Sequence, residues 1–388
     1  MEAGSYRDTW VEVSLDKIQH NVTTFKNYIH NNVKLMAVVK ADGYGHGAVE
    51  VAQAAMEAGA DYLAVAFLDE AIQLRQAGIK SPILVLGYTK SSAVEEAIKN
   101  NITLTVFTPE AIEKIIAVAE DMKQVVPVHV KIDSGMNRIG INNKEDAHAL
   151  VESINSEYVR LEGVFTHFAD ADSLDPTYTE QQFSRFNEIV THLEQHGFEI
   201  PIKHCCNSAA TIAFPKMHLD MVRVGISLYG LYPSEHLREK ISLKQAMSFK
   251  TKAIFIKNVA ADQPISYGLT FAPREESTIA TMPIGYADGL SRSLSSKGAV
   301  TIRGERAPIV GRVCMDQTMI DVTAFDQINQ EDIITIFGEP SEGYISLAEV
   351  ADQMNTIHYE TACLIGKRVP RVYVNDGKII KERGLLKR

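Results

Sequence analysis

Between residues 34 and 225, eight short apolar runs alternate with longer segments of helical period, a rhythm that leaves few folds open. The runs are "KLMAVV", "DYLAVAF", "PILVLG", "ITLTVF", "VVPVHVKI", "VRLEGVFTH", "PIKHCC" and "LDMVRVG". They are too apolar for a sheet with one face in water. The segments between them carry helix marks. Ala48, Val51, Ala52, Ala55 and Met56 recur at i, i+3, i+4 spacing before Gly59. Thr108, Pro109 and Glu110 supply a cap, a first-position proline and a first-turn acid ahead of Ile112, Ile115, Ile116 and Ala119. Eight strand-then-helix units predict an α/β chain with a (β/α)8 TIM-type barrel. An open doubly wound sheet is the structural alternative.

After about residue 242 the texture changes. "SFKTKAIFIKNV", "STIATMPIGY", "GAVTIRG", "APIVGRV", "TMIDVT" and "DIITIFG" are short, rich in Val, Ile and Thr, and broken by Gly and Pro. They predict a mainly β domain, with one helical stretch near "SLAEVADQMNTIHYETACLI". The expected division is a barrel over 14–242 and a β domain over 243–388, joined by the N-terminal strand 8–13. A chain of 388 residues accommodates two such cores. Its net charge of −10, without blocks of like charge, argues against nucleic acid or an anionic membrane as partner. No apolar run reaches the roughly 18 residues of a membrane span. No secretory signal is visible in "MEAGSYRDTWVE", and four cysteines make no disulfide framework, so a reduced, cytoplasmic protein is expected.

In a barrel, functional side chains come from the C-terminal ends of the strands and the loops that follow. Those positions hold Lys40 with Tyr44 in a glycine-rich loop; Leu86 and Gly87; Lys131, with Arg138 in "SGMNRIG"; His167; His204, Asn207 and Ser208; and Arg223 with Gly225. "NSAAT" begins a helix, and "RVGIS" offers the amides of Gly225 and Ile226, an arrangement suited to a phosphate. A lysine at a strand end could form a Schiff base if partial burial lowered its pKa. A phosphate seat opposite such a lysine is what pyridoxal 5'-phosphate (PLP) requires. Each residue also has a plainer role open to it. Lys40 could be a solvated strand-end cation, "NSAAT" a simple N-cap, His167 a packing residue, and Arg223 an ion-pair partner of Asp220 or Asp288.

Taken in order, "AVVKADGYGHG", "KIDSGMNRIG", "GVFTHFADAD", "HCCNSAA", "MVRVGISLYG", "ISYGLTF", "PIGYADG", "GRVCMDQTMIDV" and "IHYE" make the chain resemble the alanine racemases, fold-type III PLP enzymes, over nearly its whole length. The resemblance implies that Lys40 holds PLP covalently. Tyr44, Ser208, the amides of Gly225 and Ile226, and Tyr359 would bind the phosphate, with Leu86 and Asn207 also at the cofactor. His167 would pack against the pyridine ring and Arg138 would bond its phenolic oxygen and help hold substrate. Arg223 would face the ring nitrogen, supported by His204. Tyr267 would be the second catalytic residue. Met315 would meet the substrate carboxylate through its backbone, and Tyr286 and Tyr359 would narrow the entrance. Lys131 matches a position often N-carboxylated in the family; an ordinary ion pair is the alternative. No metal is implied.

The implied reaction is two-base racemisation of alanine, Lys40 and Tyr267 serving opposite faces, with D-alanine going to peptidoglycan. The implied assembly is a head-to-tail homodimer in which Tyr267 is contributed across the subunit boundary. The alternatives are a broader small-amino-acid (serine) racemase, a fold-type III decarboxylase, a non-catalytic PLP-binding protein, and a sugar-phosphate enzyme on a generic barrel.

Overall fold

The computed structural model describes residues 5–339 and 343–386. Strand β1 (Thr9–Ser14) opens the chain, and the eight apolar runs then form β2 (Lys34–Val38), β3 (Tyr62–Val65), β4 (Ile83–Val85), β5 (Thr103–Val106), β6 (Val126–Lys131), β7 (Val159–Phe165), β8 (Ile202–His204) and β9 (Met221–Val224). All are parallel, in the order β8-β7-β6-β5-β4-β3-β2-β9. The ends meet: the amides of Asp220 and Arg223 donate to the carbonyls of Lys203 and Cys206 at 3.1 and 3.0 Å. The sheet thus curls into an eight-stranded barrel, which rules out the open sheet. Its strands are buried on both faces because helices cover them outside, the reason their sequence shows no alternation.

The helical marks act as read. One helix spans Ala48–Glu57 and ends before Gly59. Another spans Pro109–Met122, with Thr108 Oγ1 accepting from the Ala111 amide at 3.3 Å. Helices Lys144–Glu152 and Thr177–Gln195 pack side by side outside the barrel.

The remaining strands are β10 (Met247–Lys252), β11 (Phe255–Val259), β12 (Ser277–Met282), β13 (Ala299–Ile302), β14 (Glu305–Val310), β15 (Thr318–Asp321), β16 (Ile333–Phe337), β17 (Arg371–Asn375) and β18 (Lys378–Arg383). With β1 they form a ten-stranded sheet, ordered β11-β12-β15-β14-β13-β16-β10-β1-β17-β18. β1 runs antiparallel to β10 and parallel to β17. The hairpin β17–β18 was not anticipated from apolar patterning because its second strand, "KIIKER", is largely exposed. Its turn does carry a signal: Asp376 and Gly377 both take positive φ, the conformation an Asp-Gly hairpin needs.

By packing, the chain divides into two units. One comprises Ile18–Gly43 and Ala48–Leu243; the other comprises the chain from Lys244 on, the segment up to Lys17, and Tyr44–Gly47. Within the second unit, Arg371 Nε donates to the Gly45 carbonyl at 3.1 Å. Among the described residues no helix is long and apolar enough to cross a membrane.

Candidate active site

Arg223, on β9, is 3 % exposed and lies inside the barrel near the C-terminal strand ends. Its Nη1 donates to His204 Nδ1 at 3.0 Å, and its Nη2 to the Thr166 and Cys205 carbonyls and His167 Nδ1 at 2.8, 3.1 and 3.1 Å. Guanidinium only donates, which assigns the protons beyond it. His204 Nδ1 and His167 Nδ1 must be acceptors. His204 Nε2 therefore carries a hydrogen and gives it to His129 Nδ1 at 2.8 Å; His129 Nε2 in turn donates to Glu162 Oε2 at 3.1 Å. Tyr62 donates to the same carboxylate oxygen at 2.6 Å and accepts from Thr103.

The electrostatics agree with that assignment. Burial, then the Arg223 charge, push His204 and His167 well below the ordinary imidazole range. Burial also lowers His129, against the opposing pull of Glu162. Burial raises Glu162, but its bonds from His129 and Tyr62 overcome this and bring it to about 2. Arg223 is drawn down by burial to about 10 and so remains a cation at neutral pH.

Neither ion pair considered for Arg223 forms. Asp220 is taken by Lys203, through its amide at 2.8 Å and its ammonium at 3.6 Å, and Asp288 by Arg7 and Arg368 at 2.7 Å each. The bonds of Arg223 engage Nη1 and Nη2; Nε takes no partner among the described residues. The Nε hydrogen and the second Nη1 hydrogen are left for acceptors that the described residues do not supply.

Lys131, at the end of β6, is 5 % exposed, with Nζ 4.3 Å from the centre of the Phe165 ring. Among the described residues no carboxylate pairs with it, so the ion-pair alternative fails. Burial first, then the charges of Arg223 and Arg138, hold its amine well below the usual lysine range. Arg138 is exposed on the next loop, where its amide and that of Asn137 donate to Asp133 at 3.1 and 3.0 Å. Lys131, Asp133, Arg138 and His167 line one cleft.

After β8, Asn207 is the N-cap of helix Ser208–Ala213, its side-chain oxygen accepting from the Ala210 amide at 2.9 Å. The expectation of a free Gly225 amide needs correction. That amide donates to Ser208 Oγ at 2.9 Å, because the hydroxyl sits directly over the β9 end. Ile226 heads a short 3-10 helix, Ile226–Tyr229, and Leu86 is half-buried just beyond β4.

Lys40 is half-buried, and the loop after it is wound tight where its glycines suggested looseness. β2 ends at Val38, and Ala41, Asp42, Gly43 and Tyr44 all have φ between 50° and 62°. A left-handed residue other than glycine costs about 1–2 kcal/mol, so this turn must be held. Glu70 Oε1 accepts from the Ala41 amide at 2.6 Å, and Asp42 Oδ1 from the Ala48 amide at 3.0 Å. Glu70, Glu162, His129 and Tyr62 escaped the sequence reading. For His129 and Glu162 the signal was a polar residue inside an otherwise apolar strand; Glu70 had none.

The second unit carries the remaining candidates. Tyr44 is buried, with its ring centre 6.3 Å from that of half-buried Tyr359. Tyr267 stands 73 % exposed on a short turn beside Leu269, which is 71 % exposed. Ser266 Oγ ties this turn to the Arg312 carbonyl at 2.7 Å. Tyr286 and Met315 are neighbours: the amides of Tyr286 and Ala287 donate to the carbonyls of Cys314 and Met315 at 3.0 and 3.1 Å. A Cβ at Gly285 would strike both carbonyls, so glycine permits this approach.

The alanine racemase N-terminal domain family matches residues 13–233, and the alanine racemase C-terminal domain family matches 246–373. A curated relative, alanine racemase 2 of Oceanobacillus iheyensis, is 64% identical over 100% of this chain and 99% of its own. Among solved structures, an alanine racemase from Bacillus anthracis with bound L-Ala-P matches with TM-score 0.94 at 42% identity, over 99% of both chains. A histidine racemase from Leuconostoc mesenteroides matches with TM-score 0.87 at 28% identity, over 95% of this chain and 98% of that one.

Proposed function

The chain belongs to the alanine racemase family, and from that premise we propose that Lys40 and Tyr267 are the two bases of a PLP-dependent interconversion of L- and D-alanine. The family is PLP-dependent, and this chain's donors suit that anion. The carrying observation is Arg223: buried, bonded through Nη1 and Nη2 to neutral imidazoles and carbonyls, with Nε–H still to be given. An aromatic ring nitrogen is an acceptor of the required kind.

In this reading Lys40 would hold the cofactor covalently, His167 would pack on its ring, Arg138 would bond its phenolic oxygen, and Leu86 would line the same site. Tyr44, Asn207, Ser208, Gly225, Ile226 and Tyr359 surround its phosphate. Bound PLP supplies a conjugated system that accepts the electron pair left when alanine loses its α-proton. Arg223 fixes how strongly. It would donate a hydrogen bond while keeping its proton, so a ring nitrogen facing it would stay unprotonated and be a weaker electron sink. That favours return of the proton over decarboxylation or transamination. A decarboxylase would need an acid at position 223, and a protein that merely stores PLP would need no second base. His204, His129 and Glu162 act through Arg223, keeping its fork in one orientation.

Once the substrate amine has displaced it from the cofactor, Lys40 is a free amine whose Nζ would remove or return the proton on one face, and the Tyr267 hydroxyl would do so on the other; exchanging roles would reverse the reaction. Met315 and Arg138 would receive the substrate carboxylate, and Tyr286 and Tyr359 would restrict the side chain to a small one. Lys131 is the N-carboxylation candidate: burial disfavours its charged form, and the unprotonated amine is the nucleophile carbon dioxide requires. The product is an anion between cations. The exposed Tyr267, Leu269 and Met315 support a head-to-tail homodimer that covers them. A cytoplasmic source of D-alanine for peptidoglycan is the corresponding role.

Borohydride reduction of the holoenzyme followed by peptide mapping tests the assignment, coupled to chiral analysis of alanine incubated with untreated enzyme. Label on Lys40 and racemised alanine are expected. Label on another lysine, or serine turned over faster than alanine, would replace the reading.

A further inference from the structure

On the outside of the barrel, away from the strand ends, three imidazoles converge. His148 comes from helix Lys144–Glu152; His192 and His196 come from the end of helix Thr177–Gln195. Ring centres lie 5.6 Å apart for His148–His192, 4.8 Å for His148–His196 and 4.2 Å for His192–His196. One ligand atom from each falls within 4.8 Å of the others. We propose that His148, His192 and His196 form a binding site for a zinc-class divalent transition metal that staples the two helices together.

The arrangement satisfies several requirements of such a site. His192 and His196 are four residues apart, so they share one helix face. His196 Nδ1 lies 2.7 Å from the His192 carbonyl, which makes Nδ1 the donor and turns the Nε2 lone pair outward. His148 faces the Glu152 carboxylate through Nε2 at 3.9 Å, leaving Nδ1 buried with no hydrogen-bond partner, and Phe198 packs edge-on against its ring. A carboxylate behind a ligating imidazole is the usual outer support of a zinc histidine. Lys144 opposes a cation here, and Glu145 and Glu152 favour it. Tetrahedral Zn–N bonds of about 2.0–2.1 Å place nitrogens about 3.3 Å apart, an adjustment of under about 1 Å per ring. A water completes the shell.

The staple has a mechanical consequence. The other half of the longer helix holds the loops that carry the catalytic candidates. Tyr178 donates to the Gly135 carbonyl at 2.6 Å, and Gln182 bonds the Ala169 amide and His167 carbonyl at 2.8 and 3.3 Å. Metal at its far end should stiffen the helix without joining the chemistry.

The test is calorimetric titration of metal-free holoenzyme with Zn²⁺ alone, with Co²⁺ absorption as a second readout. One ion per chain is expected, with tetrahedral cobalt bands and a raised Tm. His192→Gln should weaken binding at least about tenfold and abolish the bands, while metal-free racemisation stays at the parental rate. The proposal is overturned if no saturable binding occurs, if the His192→Gln, His196→Gln double variant binds equally well, or if alkylating Cys363 and Cys314 removes the binding instead.

Discussion

At the barrel rim Arg223 is buried, and its bonds fix which nitrogens of His204 and His129 carry hydrogen; on the β-rich unit Tyr267, Leu269 and Met315 stand in the open. Both regions carry candidates for the same reaction, yet one is buried and bonded within a single chain and the other lies on its surface. A buried cation must be satisfied at once, because an unpaired one would cost several kcal/mol. An exposed phenol meets no such demand, so its environment can wait for a partner subunit. The rim network thus forms within the protomer, while the second base is proposed to act across a dimer.

Four experiments would break or sharpen that contrast. The largest effect is expected from Lys40→Ala, which should lower racemisation roughly a thousandfold or more in both directions, measured by chiral chromatography. Tyr267→Phe comes next, with a loss on the order of a hundredfold or more that is unequal between the enantiomers' proton abstractions, read from solvent-deuterium incorporation. Equal losses would move the second base elsewhere. Mixing those two impaired variants should restore activity if sites are shared between subunits, since one site of each heterodimer would regain both groups. No recovery would place both bases within one chain. Arg223→Glu should protonate the ring nitrogen and raise transamination and decarboxylation products; an unchanged product ratio would show that the rim network does not govern partition.

The smallest effect concerns stability. Glu162 is depressed to about 2 in the folded protein, so its contribution is complete above its unfolded value near 4.5. It is lost as pH falls from there toward 2. After allowance for partial exposure this is roughly 1–2 kcal/mol. Glu162→Gln should flatten the fall in Tm over that interval, and an unaltered acid limb would detach Glu162 from the network.

Much of the barrel was legible because a strand buried on both faces has no choice but a continuous apolar run, and eight of them announce themselves. The exposed hairpin strand "KIIKER" lacked that constraint and was passed over. Site candidates were legible where position at a strand end coincided with a reactive side chain, as at Lys40, His167 and Arg223. The supports were not. Glu70 reads as a first-turn acid, and nothing local shows that it holds Ala41 in a left-handed turn. The Gly225 amide read as open because its partner, the Ser208 hydroxyl, lies seventeen residues away.

The amino-acid order alone determined the alternation of strand and helix, the helix caps, and which side chains reach the barrel rim, since each follows from local periodicity and chain direction. Tertiary structure alone decided which partners those side chains take: that Arg223 faces imidazoles and carbonyls rather than an aspartate, that Lys131 is buried over the Phe165 ring with its charged form disfavoured, and that three histidines meet on the outer helices. Hydrogen bonds and dielectric depend on atoms brought together from distant parts of the chain, and no local pattern encodes that distance.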